Sequence, residues 1–434
     1  MSDTLRRNHL EFYGNKTVRT PNLDCFSKRS VVFDRCYACS FPTIPARADL
    51  FTGKWTYTYL GWKPLPNNET VLAQILQKEK YKTAAVVDMP FFTVDDMNYD
   101  RGFSDVMFIR GQGSDREDVY LQRRCETDWF APKTMLTASR WLERHHKENF
   151  FLYVDTWEPH EPWDPPKWYV DYYYPDYDGK YSEPCYWFFK EAGLTEDDVK
   201  KAHAAYCGEV TMVDRWVGHL LDSIESMNLM DETAIIFTTD HGFYFGEHGM
   251  FGKALTRGQK SQHQKFYRSP LYEEVTHIPL LIYLPGVKAR RIDEIVSLPD
   301  LMPTVLELMG LQIPKTVNAQ SLVPLLMGEK QKRRDFVVTS PALNNLGGIT
   351  KMVDNDARRL KEWPLSTITT KDWSLLYAAE GQPAELYNLT SDPIQKKNLI
   401  NEKPQIAQEL LEKFVKQMEE AGTKPRQINP RRRF

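Results

Sequence analysis

The chain has 434 residues, 41% hydrophobic, 26% charged and 13% aromatic, a composition that excludes a disordered, collagen-like or disulfide-scaffold protein and leaves a globular one. Its 56 basic and 59 acidic residues leave a formal charge of −3, too even to point to a nucleic-acid or anionic-membrane partner. No run of about 18 apolar residues marks a membrane span, and the six cysteines, with Cys36 and Cys39 three apart and no second pair to complete a zinc site, read as reduced thiols of a cytoplasm-like compartment.

In chain order, the first residues are unusual for an α/β protein. Met1-Ser2 leads straight into Asp3-Thr4-Leu5-Arg6-Arg7 without an opening hydrophobic strand, so a first strand, and any secretion signal with it, is expected to lie outside this sequence. Asn68 or Thr70 can cap a helix whose apolar positions Val71, Leu72, Ile75 and Leu76 share a face, and Thr83–Val87 follows as a buried strand. Leu136, Trp141 and Leu142 at helical spacing precede the strand Phe150–Val154. Thr195 and Asp198 form a capping-box pattern ahead of a long helix with apolar steps from Val199 to Ile224, in which Asp214 reads as structural. The strands Ala234–Phe237 and Leu280–Leu284 come next.

Continuous apolar strands alternating with amphipathic helices predict an α/β fold, a large and mostly parallel sheet flanked by helices. The texture changes near residue 335. Ser366–Ala379 and Glu385–Tyr387 read as short antiparallel strands and Pro404–Glu420 as a closing helix, which divides the chain into a catalytic part, 1–334, and a smaller α+β part, 335–434. Arg431 to Arg433 read as a frayed basic tail. The loop 156–194, rich in Trp, Tyr and Pro, reads as an active-site wall that stacks on substrate or as an oligomer interface.

Reactive groups of such sheets gather beyond the carboxyl ends of the strands. Asp240-His241-Gly242 sits there, a carboxylate and an imidazole able to turn toward one divalent ion. In Thr43-Ile44-Pro45-Ala46-Arg47, a hydroxyl precedes a proline at which a helix is expected to start, so it faces free backbone N–H groups and the positive end of a helix dipole. Arg47, one turn on, can fix or polarise that hydroxyl.

With these segments in hand, the chain resembles the sulfatase family of the alkaline phosphatase superfamily. Residues 43–54 match its Cys-or-Ser-x-Pro-x-Arg and Leu-x-Thr-Gly motif except at the first position. Asp3-Thr4-Leu5-Arg6, Pro159-His160-Glu161-Pro162, Asp240-His241-Gly242, Gly252-Lys253, Asp300 to Thr304 and Glu385-Leu386-Tyr387 match in order along the chain. The resemblance implies an alkaline-phosphatase-like fold and one divalent metal ion (Mn, Ca, Mg or Zn) held by Asp3, Asp240, His241 and Thr43. It implies further that Lys253 and His160 contact the anionic group, with His160 as a general acid, and that Arg47 holds the nucleophile.

Two departures bear on the chemistry. Family members convert the motif's Cys or Ser to formylglycine, an aldehyde that a secondary alcohol such as Thr43 cannot become. A Gly-Lys-x-His stretch of the sulfate site is replaced by Val86-Val87-Asp88-Met89-Pro90. The expected function is therefore cleavage of a small anionic ester, a phosphodiester or phosphonate monoester, through Thr43 without formylglycine. A sulfate ester hydrolase and a non-catalytic binding protein of the same fold are the alternatives. Asp155, Glu158 and His160 lie close enough in sequence to form part of a second metal site, and a homo-oligomer is compatible with the aromatic loop.

Overall fold

A computed structural model describes residues 1–92, 96–109, 123, 125–257, 265–268, 270–329, 333–343, 364–379 and 382–434. Two groups of strands form the core. In the first, β3 (Lys82–Val87) lies between β4 (Asp105–Phe108) and β5 (Phe150–Asp155), all parallel. In the second, β1 (Val31–Tyr37) pairs parallel with β8 (Arg290–Ser297) and antiparallel with β7 (His277–Tyr283), whose other edge takes β6 (Ile235–Thr238), again antiparallel. The sheet is thus mixed, because β7 runs against its neighbours. Two of its strands, the interior β1 and the edge strand β8, carry charged residues and lack the continuous apolar run that marks a buried strand.

Met1–Asp3 joins the two groups. Met1 N donates to Val154 O (2.6 Å) and Asp3 N to Thr156 O (2.9 Å) on the β5 side, and Ser2 N donates to Thr238 O (3.2 Å) on the β6 side. Asp3 therefore stands at the carboxyl ends of the strands, beside the segment that follows β6.

Helices cover both faces. On one side lie α4 (Phe130–His145) and the 31-residue α5 (Glu196–Ser226). Thr195 and Asp198 make the reciprocal capping box, as the pattern predicts, and Asp214 accepts hydrogen bonds from Asn22 N, Asn22 Nδ2 and Leu23 N, capping α1 (Pro21–Ser27). On the other side lie α2 (Thr43–Thr52), α3 (Leu72–Lys78) and α6 (Leu301–Leu308). Two helix starts differ from expectation. Helix α2 opens at Thr43 and not at Pro45, since proline is tolerated throughout a first turn whose N–H groups lack intrahelical partners. Helix α3 has Val71, not Asn68 or Thr70, at its cap, because Gln74 N and Ile75 N both reach Val71 O.

The C-terminal sheet has the order β12 (Glu385–Asn388), β11 (Trp373–Tyr377), β10 (Ser366–Thr370), β9 (Phe336–Pro341), and ends on β2 (Ser40–Phe41), which pairs parallel with β9. The edge strand of this sheet thus ends two residues before Thr43. Helix α7 (Pro404–Glu420) packs Leu410, Leu411, Phe414 and Met418 against it. The basic tail is not frayed: Arg431 is buried, its Nη1 donates to Gln427 O (2.7 Å), and Tyr377 Oη donates to Arg433 O (2.7 Å). Among the described residues no helix is long and apolar enough to cross a membrane.

Candidate active site

Thr43 is the first residue of α2, all ten of whose residues are buried, and its hydroxyl points toward the carboxyl ends of the strands. Thr43 Oγ1 lies 3.5 Å from His241 Nε2. His241 Nδ1 is 2.9 Å from Gly242 O, a contact that places the ring proton on Nδ1 and leaves the Nε2 lone pair facing the hydroxyl. Burial pushes the His241 pKa down to about 4, and the charges of Lys253 and Arg47 act in the same direction, so the ring is neutral near pH 7.

Asp3 and Asp240 complete this corner, fully buried. Asp240 Oδ1 accepts from Thr4 N (3.0 Å) and His241 N (2.8 Å), and Asp3 Oδ1 accepts from Thr4 Oγ1 (2.6 Å). Ligand atoms of Asp3, Asp240 and His241 lie within 4.8 Å of one another. Burial, and then the charge of Asp240, raise the Asp3 pKa well above the carboxylate range. Burial would raise Asp240 too, but His241 and Arg47 hold it below that range. Two buried carboxylates this close repel each other unless a proton or a cation lies between them. Asp3 Oδ2 has no hydrogen-bond partner, and the oxygen-rich, imidazole-containing set fits a divalent ion of the Mg, Ca, Mn or Zn kind.

Arg47 is enclosed by this cluster. Its Nε and Nη2 make a bidentate pair with Asp155 (2.7 and 2.8 Å), Nη1 donates to Asp240 Oδ2 (3.1 Å), and Nη2 lies 3.1 Å from Asp3 Oδ2. Nη1 also donates to Thr43 O (3.0 Å), so Arg47 grips the nucleophile's backbone and its hydroxyl is left free. Asp155 is thereby occupied by Arg47 and by Tyr153 Oη (2.7 Å), and Glu158 Oε2 accepts from Ala131 N (3.1 Å) at the start of α4. Glu158 Oε1 has no hydrogen-bond partner, but among the described residues Asp155, Glu158 and His160 do not come together as a group of metal ligands.

Across the site, Lys253 Nζ lies 2.6 Å from His160 Nε2, both buried. His160 Nδ1 is 2.8 Å from Glu161 O and 3.1 Å from Glu161 Oε2, and its ring stacks on Trp157 with centroids 3.8 Å apart. Burial and then the Lys253 charge hold the His160 pKa well below its ordinary value, so the ring is neutral and Nε2 accepts a hydrogen bond from Lys253 Nζ.

Asp88 is buried at the end of β3, where it accepts from Thr134 Oγ1 (2.7 Å), Thr156 Oγ1 (2.9 Å) and Trp157 N. It orders the segment that carries Trp157 and His160. Burial raises its pKa to about 7. The aromatic loop divides: Trp157 stacks in the site, whereas Trp163 is buried edge-on against Phe243 and Tyr206 in the core. Sequence reasoning missed Glu161 and Tyr206. Tyr206 Oη accepts from Arg6 N (2.8 Å) and donates to Thr4 O (2.9 Å), holding the segment that bears Asp3. An aromatic on a helix carries no signal of such a role until its partner is known. A second group of ligand-type side chains, His9, His203 and Cys207, lies nearby, with His9 Nε2 and His203 Nε2 at a hydrogen-bonding 2.7 Å.

Comparison with known proteins follows this geometry. A family model described as Sulfatase matches residues 1–311. Arylsulfatase K of Xenopus laevis is 24% identical, over 92% of this chain and 78% of its own length; an arylsulfatase of Clostridium perfringens (strain 13 / Type A) is 24% identical, over 92% and 89%. Among solved structures, the phosphonate monoester hydrolase of Agrobacterium radiobacter is similar with TM-score 0.78 and 20% identity, covering 97% of this chain and 94% of that one. A protein solved with its substrate D-glucosamine-2-N,6-O-disulfate is similar with TM-score 0.74 and 19% identity, covering 98% of each chain. The α/β fold is therefore that of the alkaline-phosphatase-like enzymes.

Proposed function

The chain belongs to the sulfatase family, and we propose that it hydrolyses small phosphodiesters or phosphonate monoesters with Thr43 as the attacking group. One observation carries this reading. A fully buried secondary alcohol stands 3.5 Å from His241 Nε2, beside Asp3 and Asp240, and its motif resembles the one in which the family carries formylglycine. Sulfate transferred to such an alcohol would remain as a stable ester, whereas water can cleave a phosphothreonine.

Asp3, Asp240, His241 and Thr43 would hold a divalent cation, which when bound lowers the hydroxyl's pKa and neutralises charge on the transferred group. Thr43 Oγ1 gives up its proton to solvent and forms the new bond to phosphorus as the bond to the leaving oxygen breaks; water then attacks that phosphorus, the bond to Oγ1 breaks, and the Thr43 hydroxyl is restored with a proton from water. Lys253, in contact with His160 Nε2, is the nearest proton source for that oxygen and a positive charge for the anion. Arg47 acts on Thr43 through its backbone and holds Asp155 and Asp240 in place, so it positions the machinery and leaves the substrate to Lys253.

The competing reading, hydrolysis of aryl sulfate esters, is favoured by the names of the curated relatives. The two separate in one experiment: purified protein assayed with aryl phosphodiester, phosphonate monoester and sulfate ester, each with Mn²⁺, Ca²⁺, Mg²⁺ or Zn²⁺. We expect phosphorus esters to turn over, sulfate esters to stay at background, and Thr43→Ala to remove phosphodiester turnover. Turnover that survives in Thr43→Ala, or aryl sulfate hydrolysis by the unmodified chain, would overturn the assignment.

A further inference from the structure

Away from the Asp3–Asp240–His241 corner, a second place gathers metal-ligating side chains. His9 comes from the 3₁₀ turn Arg7–His9. His203 and Cys207 come from α5, four residues and about one helical turn apart, so both side chains leave the same face of that helix. One ligand atom from each of the three lies within 4.8 Å of the others. His9 Nε2 is 2.7 Å from His203 Nε2, and that same nitrogen of His203 is 3.5 Å from Cys207 Sγ. His9 and Cys207 are buried and His203 is half-buried.

The surrounding contacts fix which lone pairs converge. Arg6 Nε can only donate, so the Asn8 atom that it meets at 3.0 Å is the amide oxygen. His9 Nδ1, 2.9 Å from the same oxygen, therefore carries the ring proton, which leaves Nε2 as a bare lone pair aimed at His203. Metal-ligating imidazoles are oriented in this way, by donating the other ring nitrogen to an oxygen. Burial and the Arg6 charge hold His9 well below its ordinary pKa and bring His203 down to about 4, so both rings are neutral, the form that binds a metal. Arg6, whose charge bears on all three groups, is itself paired with Glu247 (2.7 Å).

We propose that His9, His203 and Cys207 form a second metal site, for a zinc-class ion held by two imidazoles and a thiolate with solvent in the fourth position. Tetrahedral zinc, at about 2.0–2.1 Å from nitrogen and about 2.3 Å from sulfur, sets N···S at about 3.5 Å and N···N at about 3.3 Å. The first is the separation present, and the second asks the two rings to part by about 0.6 Å. On binding, the ion displaces the Cys207 thiol proton to solvent, and the ring proton of His203 moves to Nδ1. Thiolate and imidazole select this metal class, whereas the carboxylate-rich corner also suits Mg²⁺, Ca²⁺ and Mn²⁺. Tyr206, between the two α5 ligands, holds Arg6 N and Thr4 O, so the ion ties the segment that bears Asp3 to α5. The inference does not depend on the substrate assignment, since its test reads a spectrum and not turnover.

The test strips the full, reduced chain with chelator and titrates it with Co²⁺, a coloured stand-in for zinc. A thiolate-to-cobalt charge-transfer band should appear in the near ultraviolet, and added Zn²⁺ should erase it by displacement. Asp3, Asp240 and His241 offer no thiol and cannot give this band. Cys207→Ala, a small-for-small change within the helix, should abolish it, and His203→Ala should weaken Co²⁺ binding at the band about a hundredfold or more. Should either variant fail to fold, His9→Gln is read the same way, with the same weakening expected and unchanged binding overturning the proposal. No band in the unmodified chain also overturns it, and leaves His9 and His203 as a hydrogen-bonded pair of the interior. So does a band that persists in Cys207→Ala, because another cysteine would then hold the ion.

Discussion

At the residue scale, the site rests on buried charges that satisfy one another. Arg47 with Asp155, Asp3 and Asp240 is a closed network of zero exposure, the setting in which removing one partner is far more damaging than the pair is stabilising. Motif spacing made Thr43, Arg47, Asp240 and His241 legible, because each sits at a fixed offset from a Pro or Gly that the backbone requires. The partner that Arg47 grips most closely, Asp155, was not legible, since it stands 108 residues away and only the pairing of β3 with β5 brings its strand into the core. Asp88 yields a pH prediction. Its folded value is raised from 3.8 to about 7 by burial, so the folded state favours the protonated acid. Protons are then held more tightly in the folded state than in the unfolded chain, and stability falls as pH rises from about 4 to about 7, by on the order of 4 kcal/mol, and levels off above. Asn at this position can accept from Trp157 N and donate to both threonines. Thermal unfolding against pH should therefore show Asp88→Asn gaining on the unmodified protein between pH 4 and 7; parallel curves would refute this account.

At the element scale, what positions the site is the turn that follows each strand. The Asp240–Gly242 turn packs so closely on the residue before Val275 that a Cβ at Gly242 would stand 2.0 Å from Glu274 O, and Gly242 N already donates to Val275 O (2.9 Å). No side chain fits there. Gly242→Ala should displace the turn, move His241 off Thr43, and lower both cation affinity and turnover at least tenfold, a loss checked by calorimetric titration with Mn²⁺ and by assay. Unchanged affinity would mean that the turn tolerates the shift. Helix α5 shows the opposite case, an element written locally: its capping box and apolar stripe were readable from Thr195 onward because every partner lies within four residues. Strands β1 and β8 were not readable, since their mixed charged and apolar residues break the apolar run and they are strands only by their pairing with each other and with β7.

At the scale of the whole molecule, the carboxylate pair couples folding to cation binding. The unfolded chain has no preformed Asp3–Asp240–His241 set, so any ion bound there stabilises the fold by mass action, by about 2.7 kcal/mol at a hundredfold excess over Kd. Tm should rise with added Mn²⁺ or Ca²⁺ and fall with chelator, and Asp240→Asn should blunt the response. A Tm indifferent to every divalent ion would remove the cation site from the scheme. The C-terminal sheet contributes at this scale too, because its edge strand β2 ends two residues before Thr43 and so anchors the chain where α2 begins.

The amino-acid sequence by itself determined the alternation of apolar strands with amphipathic helices, the hydroxyl at the head of α2, and the Asp-His-Gly turn after β6. All of these are encoded by residues within about a turn of one another. Tertiary structure alone decided that Asp155 belongs to Arg47, that Lys253 and His160 meet at the far edge of the site, that Arg431 of the basic tail is buried, and that Met1–Asp3 links β5 to β6. Each of those depends on which distant segments share a neighbourhood and on how completely water is excluded there, and burial, not sequence spacing, sets which buried group carries a charge.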